Sequence, residues 1–432
     1  MIGVVADDIT GANDIGVMFA KFGLLTHVYA YEAFSAERLK DSGERPDVVV
    51  LDTNSRLDSG DTAYRKVAEA TGKLREAGVR QWVNKTCSVF RGNVGREFDA
   101  MLDTLQAGFA VVVLGFPKNG RTTVDGIHYV RGKLLEASEF RDDPVHPMKQ
   151  SDLAAILRGQ TRRRIANLRY PAIEQGPEAL RERIAAMRGV CEYLILDVRS
   201  QADLAAIAEA VQDEAVLCGS SGLAEELAAR MAASGRARGT PAPLRVPQKP
   251  GVGMLCAAGS LMPQTAAQID DLKRRGVPAF ELDSLAVLDE KERTATLDWL
   301  SNAASERMLN GENVLVHTSN RTERVEETKR IGLRAGMTAE EVSRAVSAAV
   351  AEAATRITER TGQPRLVVAG GETSAAVCGR MGIRGMRVWK EIEPGLPSCV
   401  SLGSRPKLLV LKSGSFGKPD FFAAAFAHLQ QQ

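Results

Sequence analysis

The feature that most constrains this chain is a recurring alternation of two patterns. Short, nearly continuous apolar runs are followed by longer stretches with helical spacing. Residues 2–6, 48–51, 81–84, 110–114 and 193–196 are β-rich runs bounded by turn residues, the signature of strands buried on both faces. Between them, residues 12–22 place Ile15, Met18, Phe19 and Phe22 at i, i+3, i+4 and i+7, one apolar face of a helix. Such alternation predicts parallel sheets covered by helices. Residues 234–251 break it: they are rich in Pro, Gly and Arg and lack periodicity, so they read as a linker. The alternation then restarts, with strands expected at 252–257, 314–317, 366–369 and 408–411 and a long helix at 338–360.

The expected fold class is therefore α/β. It has two α/β domains, each a mostly parallel sheet covered by helices, with the active site in the interdomain cleft. The boundaries are 1–233 for the first domain, 234–251 for the linker and 252–432 for the second. At 432 residues, 44% hydrophobic and 25% charged, the chain has ample material for two cores. A formal net charge of only +2 argues against a nucleic-acid partner. Cys87, Cys191, Cys218, Cys256, Cys378 and Cys399 lie far apart, which argues against a zinc site or a disulfide framework and for small core residues. The opening residues MIGVVADD carry no secretory pattern, and no apolar run approaches the ~20 residues of a membrane span. A reducing cytoplasm is the expected setting.

Ligands of open α/β sheets bind at the carboxyl ends of strands, so the residues there are the candidates for chemistry. Asp7 and Asp8 follow the first strand, with Thr10 the expected N-cap of the next helix and at least one carboxylate left for the cleft. The competing reading is that both aspartates only favour the positive helix end. Lys85, Thr86, Cys87, Ser88, Arg91 and Gly92 follow another strand and suit an acid, Arg as a fork and Lys as a point charge. Arg56 points to the same rim. In residues 120–128, Arg121, Thr122, Thr123 and Asp125 could serve a substrate hydroxyl, Asp125 as proton acceptor. Asp125-Gly126 is equally a turn signal, and His128 reads as structural. In the second half, Gly259-Ser260, Gly370-Gly371-Glu372-Thr373-Ser374 and Ser413-Gly414-Ser415-Phe416-Gly417 each follow an expected strand. Three such turns suggest backbone N–H groups aimed at phosphates. The P-loop, dinucleotide, nucleophile-elbow and H-E-x-x-H motifs are all missing.

Taken together and in order, these motifs resemble those of the four-carbon acid sugar kinases. The resemblance rests on Ala6-Asp7-Asp8-Ile9-Thr10-Gly11-Ala12, residues 85–93, residues 120–126, Gly370-Gly371-Glu372-Thr373 and Lys412-Ser413-Gly414-Ser415-Phe416-Gly417. It implies an ATP-dependent phosphotransferase acting on the terminal hydroxyl of D-threonate, D-erythronate or 3-oxo-tetronate, with Mg²⁺ as a cofactor. It implies substrate contacts from Asp8, Arg56, Lys85, Thr86, Cys87 and Ser88, and nucleotide contacts from Ser260, Gly370, Gly371, Glu372, Thr373 and Gly414. Asp8, Asp125 and Arg91 are then the catalytic candidates, the two aspartates as alternative bases. One departure stands out. Members acting on threonate or erythronate often carry Asp where Cys87 stands, and Thr where Val89 stands. D-threonate is the first-choice substrate on overall similarity. The expected partners are a small sugar acid and ATP, without nucleic acid or membrane, and with a homo-oligomer left open. Two other functions compete: a phosphatase with an aspartyl nucleophile, and a sugar-acid sensor without catalysis.

Overall fold

Ile2–Ala6 is apolar throughout, Val48–Asp52 is apolar up to its final aspartate, and every residue of both is buried. Each fully buried Val or Leu contributes about 1.5–3 kcal/mol, so these strands belong at the centre of a sheet covered on both sides. The structure, a computed structural model, describes residues 1–41, 44–143, 145–235 and 248–431. Its contacts divide the chain into two units, Met1–Pro241 and Ala242–Gln432. Residues 236–247 of the expected linker lie outside the described residues.

In the first unit the strands are β1 (Ile2–Ala6), β2 (Thr26–Ala30), β3 (Val48–Asp52), β4 (Gln81–Lys85), β5 (Ala110–Val113), β6 (Arg121–Val124), β7 (Ile127–Val130), β8 (Lys133–Leu134), β9 (Ile165–Leu168), β10 (Tyr193–Leu196) and β11 (Val216–Gly219). The main sheet runs β2-β3-β1-β4-β11-β5-β10-β9, with every pairing parallel. Helices Ile9–Ala20, Gly60–Glu76, Val94–Leu105, Gln201–Val211 and Gly222–Ala233 are among those that follow or precede its strands. Register sets the site: Ala6 pairs with Asp52 on one side and Lys85 on the other, and Lys85 pairs with Gly219. Strands β6, β7 and β8 form a separate antiparallel sheet. Its tight β6–β7 turn is Asp125-Gly126, both at positive φ (52° and 79°), as the paired twist of a two-residue hairpin requires.

In the second unit the strands are β12 (Leu255–Ala258), β13 (Ala279–Leu282), β14 (Val314–Thr318), β15 (Arg365–Ala369), β16 (Gly385–Glu393), β17 (Leu396–Ser401) and β18 (Leu408–Lys412). Their order is β13-β14-β12-β15-β18-β17-β16, parallel from β13 to β18 and antiparallel beyond. The long helix Ala339–Thr361 starts at a capping box, in which Thr338 and Glu341 each bond the other's backbone N–H, and stops at Gly362 in the left-handed region. Both units are thus mostly parallel sheets flanked by helices. All six cysteines are free and buried.

Candidate functional site

Asp8, not Thr10, caps the first helix. It keeps extended backbone (φ −151°, ψ 157°), and its carboxylate accepts the N–H of Gly11 at 2.8 Å. Thr10 lies inside the helix and donates its hydroxyl to Asp8 at 2.7 Å. The sequence expectation of a carboxylate left over is corrected as well, because Arg56 takes both. Its Nε and Nη2 donate to Asp7 at 2.7 and 2.8 Å, and its Nη1 and Nη2 donate to Asp8 at 2.9 and 2.8 Å. A guanidinium has five N–H donors, so these four bonds nearly exhaust it. Strand register makes this pairing possible: β1 and β3 end side by side, and the chain leaving β3 turns Arg56 back over β1. Burial pushes the Asp8 carboxyl up, but Arg56, Lys85, Thr10 and Gly11 together outweigh it and hold the group below its usual value.

Lys85 closes β4 beside this cluster. Its ammonium is buried, 3.4 Å from Asp14 and within 3.1 Å of the Thr86 carbonyl. Asp14 sits in the same helix as the Asp8 cap and also accepts the hydroxyl of Ser221, which follows β11. Burial raises the Asp14 carboxyl to about 6, against the pull of Lys85 and Ser221. Asp52, at the end of β3, is pushed up to about 8 by burial and its aspartate neighbours. Glu97 is also raised by burial, and accepts the Ser55 hydroxyl at 2.7 Å.

The loop after β4 is tightly wound. Phe90 adopts φ 57° and Gly92 φ 97°; the first is costly for a bulky residue and is held by burial of Phe90 against Phe98. Arg91 donates to Asp143 at 2.7 Å and to the Cys87 sulfur at 3.4 Å, and lies over the Phe140 ring. Burial raises the Cys87 thiol, but Arg91 and Arg56 lower it further, so the net shift is downward. Ser88 offers its carbonyl to His128, whose other ring nitrogen meets Thr123. That makes His128 structural, and burial holds its pKa down at about 3. Thr86 Oγ1 is buried and has no hydrogen-bond partner among the described residues.

The structure thus brings Asp8, Arg56, Lys85, Thr86, Cys87, Ser88 and Arg91 to neighbouring strand ends. It does not bring Asp125 to them. Asp125 is exposed at the β6–β7 turn, where its N–H and that of Gly126 donate to Asp197 at 2.6 and 2.9 Å. Asp14, Asp143, Ser221 and His146, which bonds the Arg56 carbonyl at 2.9 Å, were not singled out from the sequence. Only Gly219-Ser220-Ser221-Gly222, a glycine turn between strand and helix, carried a readable signal.

In the second unit β12, β15 and β18 are adjacent, and the three glycine turns at their carboxyl ends pack on one another. A Cβ on Gly259 would come within 2.2 Å of Thr373 Oγ1, and one on Gly414 within 2.2 Å of Ser260 Oγ. Gly370, at φ 112°, caps the helix Gly371–Arg380 and would bring a Cβ to 3.3 Å from Ser260. Ser260, Gly370, Thr373 and Gly414 therefore converge. Gly371 and Glu372 open that helix, whose N-terminal N–H groups favour an anion. Glu372 is the one carboxylate that the three turns supply. Among the described residues no group of three His, Cys, Asp or Glu side chains could hold a metal alone. That donor set fits a magnesium ion carried by nucleotide phosphates, which takes few protein ligands. No described helix is long and apolar enough to cross a membrane.

Comparison with known proteins agrees with this division of chemistry. Residues 2–227 match the family model of a sugar-binding N-terminal domain, and residues 255–422 that of a nucleotide-binding C-terminal domain. The 3-oxo-tetronate kinase of Pseudomonas fluorescens is 35% identical, with 99% of this chain and 97% of that protein covered. Those of Pseudomonas savastanoi and Cupriavidus necator are each 34% identical over the same shares. Among solved structures, a Salmonella typhimurium LT2 protein superposes with a TM-score of 0.79 at 28% identity, covering 98% of both chains. The Haemophilus influenzae protein HI1011 follows at 0.69 and 27%, covering 98% of this chain and 99% of that one. The chain belongs to the four-carbon acid sugar kinase family and is a kinase that phosphorylates a hydroxyl group of a four-carbon sugar acid.

Proposed function

We propose that this chain transfers the γ-phosphoryl group of ATP to the terminal, 4-hydroxyl of a 3-oxo-tetronate. The full-length match to 3-oxo-tetronate kinases carries this reading. Cys87 supports it. A carboxylate there would accept a hydrogen bond from a 3-hydroxyl, but a 3-oxo group has no proton to give and would face the carboxylate's lone pairs. D-threonate, first choice on overall sequence similarity, becomes the comparator.

The roles divide by unit. Asp7 and Asp8 hold Arg56 rigid, leaving one of its N–H groups for the substrate. Lys85, with Thr86 and Ser88, supplies charge and hydroxyls to the acid end. Arg91, fixed by Asp143, neutralises charge that develops during transfer. Asp8, whose acceptor positions are filled by Arg56, Thr10 and Gly11, acts through Arg56 and the helix it caps; a loose phosphoryl-transfer transition state demands little proton abstraction from the 4-hydroxyl. Ser260, Gly370, Gly371, Thr373 and Gly414 hold the nucleotide, and Glu372, 4.0 Å from Arg344, is the carboxylate that stands nearest in sequence for its Mg²⁺. Bound magnesium neutralises phosphate charge.

A panel of four-carbon acids with ATP and an ADP readout tests the substrate. The expected result is the highest kcat/KM for a 3-oxo-tetronate, at least about tenfold above D-threonate, the ~1.4 kcal/mol of one mismatched polar contact. Equal or better turnover of D-threonate overturns the substrate assignment. No ADP from any acid overturns the kinase reading.

A further inference from the structure

Lys412 ends β18 directly beneath the Ser413–Gly417 turn and is wholly buried, at 0% exposure. The three N–H donors of its ammonium are shared among four acceptors within reach, the carbonyls of Ser413 at 2.7 Å, Gly414 at 3.0 Å and Phe416 at 3.1 Å and Thr265 Oγ1 at 3.1 Å. Thr265 in turn donates to the Gly414 carbonyl at 2.9 Å, and Gln268 donates to those of Phe416 and Lys418. Every acceptor of this ammonium is a neutral oxygen. Among the described residues no carboxylate within 4.0 Å pairs with it, and Cys256 and Glu393 are the ionisable groups whose charge bears on it. A buried charge without a counter-ion is expensive, so this one needs a function.

The peptide plane supplies it. In a trans peptide the carbonyl of one residue and the N–H of the next point opposite ways. Drawing the carbonyls of Ser413, Gly414 and Phe416 inward turns the N–H groups of Gly414, Ser415 and Gly417 away from the ammonium. A cation behind the carbonyls also polarises those peptides, making the outward N–H groups better anion donors. Gly414 faces Ser260, so the turned peptides lie beside the other two glycine turns.

We propose that Lys412 is a positioning residue for the nucleotide: it fixes the Ser413–Gly417 peptides with their N–H groups outward, and the bound polyphosphate completes its charge. The proposal rests on the nucleotide-binding reading of this unit. It implies a proton change. Burial holds the Lys412 ammonium down at about 7, and a polyphosphate brought close raises it again, so binding takes up a proton above that pH.

Titration calorimetry of ADP into the full chain at about pH 8, in two buffers of different ionisation enthalpy, reads this directly, because phosphates with a second pKa of about 6 are already ionised. Wild type is expected to take up a fraction of a proton. Lys412→Met is expected to take up none and to bind ADP about tenfold to a hundredfold more weakly, the range for a lost charge-assisted hydrogen bond. Its KM for the sugar acid is expected to stay within about twofold, which a merely structural defect would not spare. Wild-type binding without proton uptake overturns the proposal even if the variant fails to fold. So does a folded variant that binds ADP as tightly as wild type. A wild-type chain that turns over the acid with ATP yet shows this failure leaves the kinase reading standing, whereas one that binds no ADP overturns both.

Discussion

Both units present loops at the carboxyl ends of parallel strands, but the chemistry standing there differs. In the first unit the strand ends carry charged side chains: Asp7, Asp8, Arg56, Lys85 and, through the next loop, Arg91. Each is buried or nearly so and is matched with an opposite charge. In the second unit the strand ends carry glycines and hydroxyls, with one buried ammonium beneath. The first design gives directional recognition of a small acid, at the cost of holding many charges out of water. The second lets backbone amides approach a polyphosphate closely, and tolerates no added side chain. The first should therefore be sensitive to charge and pH, the second to volume.

The sharpest break of this comparison is Arg56→Ala. It leaves Asp7 and Asp8 buried without their shared partner, and should lower stability by about 3–5 kcal/mol, read from urea unfolding midpoints. A loss under about 1 kcal/mol would mean that the acidic pair is solvated and that the first unit is not built on paired charge. Next is Asp8→Asn, which can still cap the helix. It weakens the charge-assisted hold on Arg56, so it should slow turnover by about tenfold to a hundredfold, the range for a lost charge-assisted hydrogen bond, and leave the KM for ATP unchanged in steady-state assays.

A pH test follows. His128 is held near 3 in the folded chain, well below the 6.5 of an unperturbed His. The unfolded chain therefore protonates first, and the stability His128 contributes is present above about 6.5 and lost as pH falls towards 3. Between about pH 7 and 5 the loss is ~2 kcal/mol at 1.36 kcal/mol per unit. His128→Gln should lose that much less than wild type over the same interval, by parallel denaturation curves. Coincident slopes would refute the assignment.

In the second unit Gly370→Ala adds a Cβ at positive φ and against Ser260. Strain of about 1–3 kcal/mol should raise the KM for ATP roughly tenfold and spare that for the acid. A rise in the acid KM instead would erase the division between the units. The smallest effect is expected of Asp125→Asn. Asn accepts positive φ readily and the side chain is exposed, so kcat should change less than about twofold. A tenfold loss would return Asp125 to the list of bases.

Much of the fold was legible in the sequence, because period and composition are local properties. Strands β1, β3, β4, β5 and β10 were readable as apolar runs, and the long helix ended at Thr361, one residue past its expected end. Strand β2 was missed because Thr26 and His27 interrupt its apolar pattern, although burial hides both. The first helix began at Ile9, earlier than expected, because Asp8 supplied the cap. The site was legible as a set of positions, since ligand groups cluster after strands. Its pairings were not. Lys85 and Asp14 lie far apart in the chain from Ser221, and only strand register brings β4 and β11 together.

By itself the sequence determined where the apolar central strands and the long helix lie, which turns carry glycine, and which residues carry charge to a strand end. These follow from side-chain period and from the conformations each residue tolerates. The tertiary structure alone decided what each charge meets: Arg56 two aspartates, Arg91 Asp143, and Lys412 three carbonyls and the Thr265 hydroxyl. The reason is physical. The energy of a charge is set by its burial and by neighbours within a few ångströms, and packing, not chain order, chooses both.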